Sequence, residues 1–563
     1  MPQRHKVGDT VMARWPGSKL WFPASVIGTV DNKYTVKFED GSEFELDAKS
    51  VNTEVSFRPR SRSRSPARRR STGRRRSKSP SRRRSPSPKR QGSPARRNTT
   101  ETKKEVLITS TPKSTVTKTI VSETTRTYIT RSVSKKGEGT IELPVDVRSG
   151  RVPKTRDLGF GGSIGCILAT LLYPVLIFYL YVACNRKSCS ILEKPTFAAP
   201  SEYFDTQASL QYLGLILFLA ILSMLPLGQV FEGPIMRNGQ RMIYRKNGLC
   251  MLIITVSAFC IAAWYEVPVT AVHDHCLQYL SISVVISCLL SLVLYVKARI
   301  APGNALAPQG NSGKIIYDMF AGHELHPRLK MIDFKMFMYR MSFISMVLLT
   351  LSNVGKMCEN GGQPSAAILL ASALQCWYAL DSLWYEDRVV FTSYFQEYGC
   401  GFDHTFGCLT MMPFGLAFTT QYLVLYSVEL QSLKIAALLL TQLVAMAVYR
   451  LSNSQKWDFR QNPYNPKLAH LESIATSAET RLLVSGWWGL VRHPNYLGSI
   501  LLSIAWSLPC GFSHILPWLY TILGVCNTVC QERNDYDKCK RKYGAAWARY
   551  CQKVKYRLVP FLY

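Results

Sequence analysis

Hydrophobic and polar positions change rhythm twice along the chain. Up to residue 57 they alternate: Val7–Arg14, Trp21–Ile27, Lys33–Phe38 and Ser42–Leu46 set apolar against polar side chains, with the breakers Pro16-Gly17, Asp31-Asn32 and Asp40-Gly41 between them. A period of two predicts strands with one buried face, and four or five strands this short predict an all-β small barrel of the SH3-like kind. Residues 58–97 lose the rhythm altogether. They are mostly Arg, Ser and Pro, with no aromatic after Phe57, so no apolar area offsets chain entropy and a disordered segment is predicted. Residues 98–157, rich in Thr, Ser and Lys, read as a continuing flexible linker.

From Leu158 the pattern turns to long apolar runs, near 160–184, 209–228, 249–265, 277–298, 341–357, 365–384, 407–428, 434–451, 497–511 and 514–530. Such runs are candidates for crossing a bilayer as helices. The last two are short for spans and the fifth and sixth carry polar residues, so the prediction is an all-α polytopic membrane bundle of about eight to ten transmembrane helices. The first helix and its connection would occupy 158–204, and the rest of the bundle 205–563.

Charge divides the chain in the same places. The formal net charge is +32, from 69 Lys and Arg against 37 Asp and Glu, in a sequence that is 47% hydrophobic. Residues 1–57 hold 7 basic and 8 acidic side chains, residues 58–97 hold 18 and none, and residues 98–157 hold 12 and 7, which leaves +10 for the bundle. A basic block ahead of the first span places the N-terminus on the cytoplasmic side, or in the nucleoplasm for a nuclear membrane. The +18 segment should bind DNA or RNA phosphates without sequence preference and with steep salt dependence. Its Arg-Ser alternation suits Arg/Ser-directed kinases, each phosphate adding about −1.5 to −2 charge; the alternative reading, compatible with this, is a solvated spacer and nuclear-targeting address. No nuclease or helicase motif accompanies it.

All sixteen cysteines lie at or after Cys166, scattered among apolar runs, and none forms a C-x-x-C pair. A secreted disulfide scaffold is therefore excluded, and a zinc or thioredoxin-like site has no support. Cys526 and Cys530, four apart in an apolar run, read as small packed residues on a helix.

In the first unit, Ala13-Arg14-Trp15-Pro16-Gly17, Trp21-Phe22-Pro23-Ala24 and the hairpin Tyr34-Thr35-Val36-Lys37-Phe38-Glu39-Asp40-Gly41 resemble a Tudor domain. In that family aromatic side chains at the barrel mouth surround a methylammonium by cation–π attraction. Trp15, Trp21, Phe22, Tyr34 and Phe38 are the candidates here. The alternative is that most of them fill the interior of a barrel with few other large side chains, leaving a protein-binding surface of another kind.

Polar clusters within the apolar part are expensive to bury and so suggest function. One runs from Gly313 to Arg328. A second, Asn453 to Arg460, puts Lys456 and Arg460 four apart on one helix face. A third runs from Leu482 through Trp487, Trp488, Arg492, His493 and Asn495 to Gly498, and a last one from Gln531 to Tyr550. Two cations with Arg492, His493 and a Trp pair would seat a phosphate-bearing aromatic cofactor. The same residues would equally serve as basic and aromatic anchors at a membrane interface.

G-x-x-I-Y-D-x-F-x-G-x-E-L-x-P-R followed by L-L-x-S-G-W-W-G-x-x-R-H-P-N-Y resembles the two signatures of the delta-14 sterol reductase family, membrane enzymes of cholesterol biosynthesis that use NADPH. The resemblance covers about 205–563. The order of Tudor-like unit, Arg-Ser segment and reductase-like bundle resembles the lamin B receptor family. That resemblance implies the inner nuclear membrane, continuous with the endoplasmic reticulum, a nucleoplasmic arm binding B-type lamins and chromatin through histones and heterochromatin proteins, and a bilayer-embedded domain with a sterol as its substrate. It implies an NADPH pocket of Lys456, Arg460, Trp488, Arg492, His493, Asn495 and Tyr550, and proton-delivering groups at Tyr378 and Asp535. Reduction of a ring alkene needs hydride on one carbon and a proton on the other, so an acid is chemically apt.

The departures from the family are specific. Ser499 stands where it usually has Asp, and Gln531 where it places a phosphate-binding Arg. Glu397-Tyr398-Gly399-Cys400-Gly401-Phe402, Gly407-Cys408-Leu409, Met338-Tyr339-Arg340-Met341-Ser342 and Leu325-His326-Pro327-Arg328 each alter a family motif. Losing one charge-assisted phosphate contact costs about 1.5–3 kcal/mol, roughly tenfold to a hundredfold in affinity. The expectation is weakened NADPH binding and catalysis, with Arg533, on another helix face, compensating in part.

Overall fold

The computed structural model describes residues 5–14, 21–30, 33–38, 42–53, 152–195, 197–236, 241–477 and 480–563. The Arg-Ser segment 58–97, the linker up to residue 151 and Trp15 lie outside the described residues.

The N-terminal unit is a five-stranded antiparallel sheet of β1 (Thr10–Arg14), β2 (Trp21–Val30), β3 (Lys33–Phe38), β4 (Glu43–Asp47) and β5 (Val51–Thr53), in the order β4-β3-β2-β1-β5. The alternation read in the sequence becomes burial: Val11, Ala13, Ala24, Val26 and Val36 form the core. β1 begins three residues later than its apolar pattern, because Lys6–Asp9 closes a turn in which Asp9 accepts from the Lys6 amide (2.8 Å). Tyr34 and Phe38 are core residues, 6% and 4% exposed, and Phe22 packs half-buried against them. Three of the five aromatic candidates thus serve the interior of this unit at least in part, the outcome expected of a barrel this small.

The second unit is helical. Ten helices answer to the ten apolar runs: α1 (Gly162–Ala183), α2 (Thr206–Met224), α3 (Gly248–Trp264), α4 (Cys276–Ala298), α5 (Phe334–Glu359), α6 (Ala366–Trp384), α7 (Phe402–Leu425), α8 (Ser432–Gln461), α9 (Pro494–Ser507) and α10 (Leu516–Tyr543), followed by the short α11 (Ala545–Lys553). Seven are long and apolar enough to cross a membrane, namely α1, α2 and α4 to α8. Side-chain caps set several of the starts, as Asp205 accepts from Ala208 N (2.7 Å) at α2 and Asp333 from Met336 N (3.1 Å) at α5. Two-stranded ribbons join helices: β6 (Gln229–Ile235) with β7 (Arg241–Lys246), β8 (Arg328–Leu329) with β9 (Ile332–Asp333), and β10 (Ser473–Ala475) with β11 (Arg481–Leu483).

Contacts define two ends of the bundle. At one end the approach to α1 meets the close of α10: Arg541 pairs with Asp157 (3.3 Å), and Gly159 N donates to the Tyr317 hydroxyl (3.0 Å). This is the entry end. At the far end Tyr426 donates to Asn185 O (2.7 Å), and the Tyr422 hydroxyl and His514 Nδ1 lie 2.8 Å apart. A disulfide, Cys184–Cys189, sits there directly after α1. Nothing in the sequence reading singled it out.

Two glycine contacts fix how segments meet at the entry end. Gly322, at φ +86°, ends the short helix Ile315–Ala321 inside the first signature, and its backbone crosses Gly399 and Gly401 so tightly that no Cβ fits at any of the three. Gly399 N donates to Ala321 O (3.0 Å) across that crossing. Gly498 does the same for α8 and α9, since a Cβ there would stand 2.6 Å from Tyr449 Cα.

Candidate cofactor site

Four segments converge at the entry end: the close of α8, the loop 486–493 with the start of α9, the polar half of α10, and α11. On α8, Tyr449, Ser452 and Lys456 share a face by helical spacing. Lys456 Nζ lies 4.2 Å from the centre of the Trp488 ring, a cation–π contact. The same indole donates from Nε1 to Ser452 O (2.9 Å), and Trp487 N donates to the Gln455 carboxamide (3.0 Å). The Trp pair therefore docks on α8 through one side-chain and one backbone donor. Arg460 is exposed one turn beyond Lys456, close enough for its charge to act on it.

Arg492 is nearly buried. Its guanidinium donates to the carbonyls of Cys551 (3.3 Å), Val554 (2.9 Å) and Lys555 (3.1 Å), capping α11. It therefore holds in place the helix that carries Tyr550, which is buried and stacked on Trp547 (ring centres 4.8 Å). His493 stacks face to face on Tyr496 (4.8 Å, 8° between planes), and the Tyr496 hydroxyl donates to Asp535 Oδ2 (2.6 Å).

The electrostatics of this line are distinct at its two ends. Burial, with Lys456, Arg492 and Arg557 nearby, pushes the His493 imidazole down to about 3, so it is neutral at physiological pH. Burial raises the Asp535 carboxyl above the usual carboxylate range, against the opposing pull of Tyr496, Lys538 and Lys456. Lys538 in turn pairs with Glu397 (2.8 Å), which ties α10 to the altered motif at 397–402.

Among the described residues, the polar atoms buried here without a protein partner include His493 Nε2, Asn495 Oδ1 and Trp547 Nε1. Orphaned donors and acceptors beside free cations are what a phosphate-bearing ligand with amide and hydroxyl groups would satisfy. Lys456 and Arg460 could hold the phosphates of NADPH and these orphaned atoms its polar edges, while the Trp488 and Tyr550 rings are buried, one under Lys456 and the other against Trp547.

Tyr378 stands apart. Its ring packs on Trp506 (4.8 Å), Phe343 (5.6 Å) and Tyr449 (6.3 Å), deep between α5, α6, α8 and α9. Asp535, by contrast, meets Tyr496 at the start of α9. The two suggested proton donors are not brought into contact.

The departures have visible consequences. Ser499 Oγ donates to Asn495 O within its own helix (3.1 Å), and Gln531 is exposed while its neighbour Glu532 is fully buried against Arg557 (3.1 Å). Arg533 is exposed and hydrogen-bonds Tyr563, so its cation is engaged at the C-terminus. Sequence reasoning gave no role to Tyr496, Arg450, Asp381 or Lys538. Arg450 forms an ion pair with Asp381 one turn from Tyr378 and lies 4.1 Å over Tyr385. The usable signal was present, a charge inside each of two apolar runs.

A family profile described as the ergosterol biosynthesis ERG4/ERG24 family matches residues 155–563. The chain belongs to this family. A second profile, the Tudor domain of the lamin-B receptor, matches residues 1–52. Among relatives of this family, the chicken (Gallus gallus) protein named delta(14)-sterol reductase LBR is 34% identical over 99% of this chain and 94% of its own. The mouse delta(14)-sterol reductase TM7SF2 is 38% identical over 72% of this chain and 98% of its own, and the Schizosaccharomyces pombe delta(14)-sterol reductase erg24 is 32% identical over 72% and 97%. The ERG4/ERG24 match takes in α1 as well as the helices after residue 205. The chain is thus a multi-pass membrane protein with a sterol-reductase-family domain and a Tudor domain.

Proposed function

We propose that the chain is an inner nuclear membrane protein whose N-terminal arm binds B-type lamins and chromatin, and whose bundle reduces a delta-14 sterol double bond with a loosened hold on NADPH. The observation that carries the catalytic half is the His493–Tyr496–Asp535 line set beside Lys456 and Trp488 in a chain of this family. The +18 segment and the Tudor match support the arm.

When bound, NADPH supplies the hydride. The chain's own residues then have separate tasks. Lys456 and Arg460 offer cations to phosphate, and Trp488 holds Lys456 in place. Asp535 keeps a proton on its carboxyl over a wider pH range than a free carboxylic acid, and Tyr496 orients it. Tyr378 places a hydroxyl-bearing ring among aromatic neighbours, an apolar seat suited to a fused-ring substrate. Exposed Gln531 and self-bonded Ser499 contribute no charge to the cofactor, which favours weakened over full activity.

Expression in cells lacking delta-14 reductase, followed by sterol profiling, should lower the 8,14-diene partially, and Ser499→Asp with Gln531→Arg should lower it further. A diene level unmoved by either form would sink the reductase half. Full clearance by the unaltered chain, with no gain from the double substitution, would instead establish a fully active bifunctional reductase.

A further inference from the structure

A cleft of about 280 Å³ opens at the entry end, away from the cofactor site, between the last turn of α2, the β6–β7 ribbon, the β8–β9 turn and the first two turns of α5. Its lining joins cations to apolar side chains: Arg245, Arg328 and Lys330 with Val230, Ile243 and Met331. Arg328 is held rigidly. Its Nε donates to Asp333 (3.1 Å), its Nη1 donates to Ile243 O (3.0 Å), and its guanidinium lies 4.6 Å over the Tyr244 ring. Its remaining nitrogen, Nη2, is buried and has no partner among the described residues.

The local anions are already committed. Asp333 is divided between Arg328 and the cap of α5, and Glu386 is taken by Arg340 (2.7 Å). Among the described residues, neither Arg245 nor Lys330 forms an ion pair. The cleft therefore carries uncompensated positive charge with one guanidinium edge preset to receive an oxyanion. Around it, Val230, Ile235, Ile243, Leu329 and Met331 are 56–66% exposed on the two ribbons. The cleft lies level with the ends of two membrane-length helices, where phospholipid headgroups and the start of acyl chains are found.

We infer that this cleft binds the phosphate of an anionic phospholipid from the entry-side leaflet, with Arg328 Nη2, Arg245 and Lys330 on the phosphate and the exposed ribbon side chains on the acyl chains. This reading is independent of whether the bundle reduces sterols.

The test is native mass spectrometry of the full chain in mixed micelles, with phosphatidic acid as probe and phosphatidylcholine as the neutral comparison. Bound phosphatidic acid should survive mild activation, and Arg245→Gln with Lys330→Gln should weaken it roughly tenfold. The charge-matched control Lys467→Gln with Lys540→Gln should not. Because Arg245 sits inside β7, paired with Val230 and beside Arg340, the exposed Lys330→Gln alone is the second variant, and it should weaken binding with unchanged thermal unfolding. Equal loss in the control pair, retention in both cleft variants, or retention of phosphatidylcholine as strong as that of phosphatidic acid would overturn the proposal. Competition by inorganic phosphate at concentrations matching the lipid would assign the cleft to free phosphate and overturn the lipid reading.

Discussion

At the scale of single residues, His493 and Asp535 bracket Tyr496 but respond to pH in opposite senses. A His pushed down to about 3 resists protonation in the fold while the unfolded chain takes up a proton near 6.5. Its contribution is fully present above about 6.5 and is lost as pH falls towards 3. Asp535 is the reverse, since a raised carboxyl binds its proton more tightly when folded, so its penalty appears as pH rises through the folded value. Thermal unfolding in detergent should therefore show an acid limb that His493→Gln flattens, while Asp535→Asn raises the midpoint near neutral pH. An acid limb of equal steepness in the His493 variant would show that other groups control it. Tyr496 is the hinge of this line, and its place in the signature did not reveal its partner. The Asp it contacts lies 39 positions away on another helix, and one sequence contains no pairing information at that range.

At the scale of elements, what was legible followed the hydropathy, and what was missed lay where a helix outlives its apolar run. α5 begins at Phe334 and not near 341, α8 continues to Gln461 past 451, and α10 to Tyr543 past 530. The extensions of α8 and α10 are polar and hold Lys456, Arg460, Asp535 and Lys538, whereas that of α5, Phe334 to Arg340, is mostly apolar and buried, its pattern broken by Lys335 and Arg340. The candidate site was readable as i,i+4 cations and a Trp pair on one segment. The ion pairs Arg450–Asp381 and Lys538–Glu397 were not, because each joins separate helices or loops. Helix contact itself depends on Gly498. An added Cβ would press on the Tyr449 backbone at 2.6 Å, where no side-chain rotation relieves it. Gly498→Ala should cost about 1–3 kcal/mol and reduce cofactor affinity by shifting the face that carries Lys456. Gly524→Ala on α10, with no heavy atom within 4 Å of its added Cβ, is the contrasting case and should be neutral or stabilising by up to about 1 kcal/mol. Comparable losses at both positions would mean that glycine content, and not close approach, governs stability.

At the scale of the whole molecule, the ten helices bring the start of α1 and the close of α10 to one end of the bundle, so the signatures and the C-terminus share that end. The Cys184–Cys189 disulfide falls at the opposite end of the bundle, directly after α1. Charge then separates the two proposed functions. More than half of the +32 lies between Arg58 and Arg97, whereas the bundle's +10 includes the cations of the candidate cofactor site and of the proposed lipid cleft. If some six to ten cations of the arm each neutralise a phosphate, DNA affinity of the full chain in detergent should fall about 10³- to 10⁵-fold between about 50 and 200 mM salt. Deleting 58–97 should remove most of that slope and leave thermal unfolding of the bundle unchanged. Phosphorylation of the Arg-Ser repeats should flatten the slope by degrees, because each phosphate cancels about two charges at most. A slope that survives the deletion would place the nucleic-acid contact on the Tudor unit or the linker, and the Arg-Ser segment would then be a spacer.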